Sequence, residues 1–71
     1  MASLRKLTRR EMDVMKLMVP GRRNKEIADR LVITVGVVEG HVTNILRKLG
    51  ATSRTEAVYM AVTCEKEETH A

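Results

Sequence analysis

The chain has 71 residues and a formal charge of +4, with one Tyr, no Trp or Phe, and a single Cys. So small a chain is one domain or a piece of a larger protein, with an aliphatic core, no internal disulfide and only about 60% of its unfolded surface hidden on folding. It has no apolar run near the roughly 18 residues of a membrane span, and it lacks the aromatic platforms on which RNA and single-strand readers stack bases. The charge is uneven: residues 1–50 hold 11 Lys or Arg and 5 Asp or Glu, whereas residues 51–71 hold 2 and 4. A basic front and an acidic tail suit a polyanion on one surface, and a merely soluble basic domain is the plainer alternative.

Residues 1–6 read as a mobile basic arm, its Arg5 and Lys6 solvated or touching phosphate. The opening MASLRKLTRRE lacks the apolar run of a signal peptide, so a cytoplasmic protein is expected. Thr8 and Glu11 make an S/T-x-x-E capping box that starts a first helix, with Leu7 placed to staple against Met12. Met12, Met15 and Val19, with Leu17 and Met18 beside them, supply its apolar side, and Pro20-Gly21 ends it. Arg22, Arg23, Asn24 and Lys25 cluster where the next helix begins, with Asn24 read as its N-cap. Free N–H groups, the positive dipole end and basic side chains make this the best phosphate-contact site in the sequence; a solvated loop is the alternative.

In the short second helix Ile27, Ala28 and Leu31 share one face. Val32 and Ile33 break the rhythm, Thr34 offers another N-cap, and the chain restarts as a longer helix. There Val38, Val42, Ile45 and Leu49 recur at helical spacing and form a buried seam, and Gly50 follows where a helix C-terminus favours glycine. The opposite face carries Gly36, Glu39, Gly40, Thr43 and Arg47, with Val35 and Gly36 at its N-terminal end. Two helices joined by a three- to four-residue turn, the second presenting a polar face, make the helix-turn-helix plan. Such a helix fits the major groove of B-DNA; an ordinary helical pair in a small bundle is the rival. His41 has no Cys, His or acid three or four residues on, so a structural or phosphate-adjacent role is expected rather than metal ligation. Arg47 and Lys48 suit the negative end of the helix dipole or a phosphate.

Ser53 and Glu56 form a second capping box that opens the last helix, with Ala57, Val58, Ala61 and Val62 on its apolar side. Tyr59 and Met60 carry apolar surface further round than one face requires, enough to pack on a twin subunit. Arg54 reaches phosphate or pairs with an acid. Residues 64–71, CEKEETHA, read as a polar, frayed tail. Cys64 is expected as a reduced thiol, with a redox sensor or an intermolecular bridge as alternatives.

Four blocks stand in order and at matching spacing: LTRRE (7–11), NKEIADRL (24–31), HVTNILRKLG (41–50) and SRTEAV (53–58). On these the chain resembles the LuxR/NarL-type (GerE-like) helix-turn-helix DNA-binding domain of bacterial transcriptional regulators, over Leu7 to about Val62. The resemblance implies an all-α, four-helix compact domain at 7–63 with a central helix-turn-helix at about 24–43. It implies sequence-specific binding of double-stranded DNA in transcriptional regulation, as a response regulator output domain with its recognition helix in the major groove. A homodimer on DNA through the last helix is implied, with Tyr59 and Met60 as candidates. The resemblance points to Glu39, Gly40 and Thr43 as base contacts. Backbone contacts are expected from Arg22, Arg23, Asn24, Lys25, Thr34, Gly36, Asn44 and Arg47. No cofactor, metal or membrane partner is expected, and a receiver or ligand-binding domain usually lies upstream in such proteins.

The sequence departs from that pattern at Val37-Val38-Glu39, where a Thr-Val-Lys run is usual. Lys helps hold DNA, whereas Glu repels phosphate. Glu39 has three readings: it accepts from cytosine N4, it is solvated or paired within the chain, or it weakens binding. The rival function is a protein-interaction module that kept the fold and lost tight DNA binding. No nucleophile–base pair, metal cluster or phosphate-cradling glycine loop stands in the sequence, so an enzyme is not expected.

Overall fold

A computed structural model describes the backbone of residues 4–70 and the side chains of residues 4–63. A single 3-10 turn at Leu4–Lys6 leads into four α-helices: α1 (Arg9–Met18), α2 (Asn24–Leu31), α3 (Val35–Leu49) and α4 (Arg54–His70). The described chain is therefore all-α, as expected. Helix α3 lies at its centre and touches α1, α2, α4 and the 3-10 turn.

Local chemistry sets where each helix starts and stops. At α1 the Thr8 hydroxyl accepts from the Glu11 N–H at 3.1 Å, and the Glu11 carboxylate accepts from the Thr8 N–H at 2.9 Å. Two donors that the helix cannot satisfy internally are thus paired. At α2 the N-cap is Arg23, one residue before the expected Asn24, and the Glu26 carboxylate accepts from the Arg23 N–H at 3.0 Å. Thr34 caps α3 as expected, its hydroxyl accepting from the Val37 N–H at 3.2 Å. Gly50 closes α3 at φ 69°, a left-handed conformation that glycine adopts without a Cβ penalty. At α4 the Ser53 hydroxyl accepts from the Glu56 N–H, but the Glu56 carboxylate reaches the N–H of Thr52 rather than that of Ser53.

The core is aliphatic. Val14, Met15, Met18, Ile27, Val38 and Ile45 are its largest fully buried side chains, joined by Leu4, Leu7, Ala28, Leu49, Ala57 and Ala61. The α3 seam is as expected, with Val42 only partly buried. The buried face of α1 differs from the expected one: it is Glu11, Val14, Met15 and Met18, while Met12 and Val19 are half-buried. The i, i+3, i+4, i+7 set is in phase with Glu11 turned inward, for a reason given below.

The ends differ too. The expected mobile arm at 1–6 does not extend through Leu4, which is buried in a turned segment packed on α3; residues 1–3 lie outside the described residues. The α4 backbone is helical to His70, past the expected start of a tail at 64. The side chains of that tail, including the Cys64 thiol, lie outside the described residues.

Candidate nucleic-acid interface

Helices α2 and α3 are joined by Val32, Ile33 and Thr34. Val32 sits at φ 57°, ψ 49°, the only described non-glycine residue at positive φ. A β-branched residue is rarely found there. Its N–H nevertheless ends α2 by donating to the carbonyls of Ala28 and Asp29. The turn then delivers α3 with its seam inward. Gly36, Glu39, Gly40, Thr43 and Arg47, on the opposite flank, are all exposed.

Neither glycine of that flank answers a need of the fold. A Cβ added at Gly40 would meet nothing within 4 Å, one at Gly36 only the Thr34 hydroxyl at 3.9 Å, and neither has positive φ. Each nonetheless lowers helix propensity by about 1 kcal/mol relative to Ala.

The polar expectations divide. Glu39 is exposed and has no hydrogen bond or ion pair among the described residues, so pairing within the described chain is not its role. The Arg47 guanidinium donates to the Asn44 side-chain oxygen at 2.8 Å, which ties these two residues to each other. Arg23 and Lys25 stand exposed at the start of α2. Arg22 and Asn24 are half-buried and also brace the fold: the Arg54 guanidinium donates to the Asn24 side-chain oxygen and to the Arg22 carbonyl. Arg22 also lies 3.9 Å from Glu26, and its Nε is buried with no partner in the structure. Asn24 is thus not the N-cap, because its oxygen is held by a residue 30 positions away.

Two side chains that the sequence reading undervalued therefore brace the interface from behind. Arg54 ties the start of α4 to the start of α2. Lys48 donates to Glu11 at 2.6 Å and joins α3 to α1. Burial pushes the Glu11 carboxyl up, but the Lys48 ammonium and the Thr8 N–H outweigh it and hold the group below its usual value. An acid at position 11 and a base at 48 are visible in the sequence, yet nothing local marks them as partners.

Four large apolar side chains are notably exposed: Val32 at 89%, Val35 at 40%, Val37 at 46% and Tyr59 at 71%. Three of them lie on the turn and the first turn of α3. Met60, the other expected dimer residue, is half-buried against the core. Among the described residues no group of three or more His, Cys, Asp or Glu could hold a metal ion, and no helix is long and apolar enough to cross a membrane.

Two helices joined by a tight turn, the second wedged by its apolar seam and bare on its outer flank, define a helix-turn-helix domain. The chain belongs to the luxR family of bacterial regulatory proteins, whose GerE model matches residues 5–61. It is 46% identical over 55 residues to the transcriptional regulatory protein LiaR of Bacillus subtilis (strain 168), covering 78% of this chain and 26% of LiaR. It is 46% identical over 56 residues to the transcriptional regulatory protein LnrK of the same organism, covering 79% of this chain and 26% of LnrK. It is 43% identical over 56 residues to the oxygen regulatory protein NreC of Staphylococcus aureus (strain JH9), again covering 79% and 26%. The chain thus spans about a quarter of the length of these relatives. The family is one of DNA-binding transcriptional regulators, not of enzymes.

Proposed function

We propose that this chain is the DNA-binding output domain of a bacterial transcriptional regulator and reads duplex DNA by laying α3 in the major groove. The observation that carries the reading is the bare outer flank of α3, with Gly36, Gly40 and Thr43 all open to solvent while the seam is buried. A helix of 15 residues is about 22 Å long, enough to cross the groove. Glu39, Gly40 and Thr43 face the base edges. Arg23 and Lys25 meet phosphate beside the free N–H groups of α2, and Thr34, Gly36, Asn44 and Arg47 lie along the backbone path.

One module offers little contact area, so the domain acts as a dimer on two half-sites about 34 Å apart. The exposed ring of Tyr59, with Met60 beside it on α4, supports that surface for the partner copy. The relatives' greater length supports a receiver or ligand-binding domain upstream, and a gene regulator of this kind works in the cytoplasm.

The test is a fluorescence anisotropy titration of duplexes from a random pool, repeated across salt. Affinity should fall steeply with salt and depend on sequence. Arg23→Ala should weaken all duplexes alike and reduce the salt slope by about 1. Glu39→Lys should strengthen binding overall; selective loss of one preferred site would make Glu39 a base reader. Binding indifferent to salt and sequence overturns the proposal. A protein-interaction role is favoured by one observation: α3 presents Glu39 and two exposed valines and no cation before Arg47. Absence of duplex binding at low salt, with a protein partner captured instead, would establish it.

A further inference from the structure

We infer that Arg54 is a positioning residue for DNA binding: its guanidinium, reaching from the start of α4, sets the start of α2 so that Arg23 and Lys25 meet the phosphate backbone together. This rests on the DNA-binding reading above and deepens it, because it brings into the binding machinery a side chain that does not itself meet the duplex.

Arg23 is in extended backbone, at φ −78° and ψ 159°. Successive side chains of extended chain point to opposite sides. Residues 22–24 accordingly alternate: Arg22 and Asn24 are half-buried and Arg23 is exposed, with Lys25 exposed beyond them. Arg54, itself half-buried, donates through Nη2 to the Arg22 carbonyl and through Nη1 to the Asn24 side-chain oxygen. Its two acceptors thus bracket Arg23, one residue on either side. The Glu26 carboxylate adds to the hold: it accepts from the Arg23 N–H at 3.0 Å and lies 3.9 Å from the Arg22 guanidinium. A rigid, planar fork of donors is what Arg supplies and Lys does not.

The fold leaves the other side of this segment open. Arg23 and Lys25 pair with no acid among the described residues. Arg54 also draws the Asn24 oxygen away from the helix end, and α2 begins with no side-chain cap hydrogen bond. The N–H groups of its first turn therefore stay available to a phosphate oxygen. Cations already held in the bound arrangement lose less freedom on meeting phosphate than cations on a loose loop. Arg54 thus acts on the duplex through Arg23 and Lys25.

The experiment measures affinity across salt by fluorescence anisotropy, with the duplex that the chain selects from a random pool. The slope of log affinity against log salt counts the cations that contact phosphate, about 0.9 for each. Arg54→Ala should reduce that slope by about 1–2, as Arg23 and Lys25 lose their places, and should weaken all duplexes alike. In an Arg23→Ala, Lys25→Ala background the same substitution should leave the slope where it is, because nothing remains for Arg54 to position. Circular dichroism at the titration temperature establishes that each variant is folded. Should Arg54→Ala not fold, Asn24→Ala decides: it removes one acceptor, keeps Arg54 and removes no charge, so a smaller slope supports the inference and an unchanged slope overturns it. A folded Arg54→Ala variant with the slope of the unaltered chain overturns the inference and leaves the DNA-binding reading standing. An equal drop in both backgrounds makes Arg54 a phosphate contact in its own right and also overturns it. Absence of any salt-dependent duplex binding by the unaltered chain overturns both.

Discussion

Replacing Lys48 by Met keeps the side chain long and removes the ammonium that Glu11 meets at 2.6 Å. The Glu11 side chain is 5% exposed and that of Lys48 29%, so the pair is asymmetric: the acid is interior and the base reaches water. Removing one partner of a fully buried pair costs about 3–5 kcal/mol. The Thr8 N–H still donates to Glu11 after the substitution, and Lys48 is partly solvated, so the expected loss is about 2–3 kcal/mol. For a domain of this size that lowers Tm by roughly 10–20 °C. The pH dependence supplies a sharper test. In the unaltered protein the folded Glu11 carboxyl lies below its usual 4.5. Its contribution is therefore present above that value and is lost as pH falls from 4.5 through the lower folded value. Without Lys48, burial, which is the largest influence on this group, acts upward with much less opposing it. The folded value then moves up toward or past its usual range, so the variant loses less stability than the unaltered protein when Glu11 is protonated. The gap between variant and unaltered protein should narrow between neutral pH and pH about 4. Adding Glu11→Gln should restore most of the lost stability. Urea unfolding followed by far-ultraviolet circular dichroism at several pH values measures all of this. A variant within about 0.5 kcal/mol of the unaltered protein, with an unchanged pH profile, would refute the assignment of this pair as the brace between α1 and α3.

Two further expectations concern the frame around the interface. Val32→Gly should raise the urea midpoint by the equivalent of about 0.5–1 kcal/mol, because left-handed backbone costs an L-residue about 1–2 kcal/mol and glycine returns only part of that as unfolded-state freedom. Val32 is 89% exposed, so no packing is lost; destabilisation would show that the strain is absent. Arg54→Ala removes the donor to Asn24 and Arg22 and should cost about 2 kcal/mol. Amide exchange should quicken at the start of α2; unchanged exchange there would contradict the brace.

What could be read from the sequence was local. Thr8 with Glu11, Thr34, and Ser53 with Glu56 are caps written within four residues, and three of the four helix starts follow from them. The α3 seam is a repeat within one element. The luxR pattern is a matter of order and spacing along the chain, and it carried the fold. What could not be read was long-range. Glu11 faces inward because Lys48 arrives from 37 residues away, and that shifted the apolar face of α1 onto Val14. Asn24 looks like an N-cap until Arg54 takes its oxygen. Leu4 looks like part of a solvated arm until α3 offers it a surface. Val32 in a left-handed turn runs against its own intrinsic preference, so propensity pointed away from it. At the interface, exposure separated Arg23 and Lys25 from Arg22 and Asn24, four neighbours that look alike as a basic cluster.

The most direct measurement is amide chemical-shift mapping of the nitrogen-15-labelled chain during titration with the duplex it selects. The largest shifts should fall along residues 34–47 and 23–25, with smaller shifts at Val14 and Met15 in the core. A duplex that binds while the α3 amides stay still, with the shifts collected on α1 or α4 instead, would contradict it.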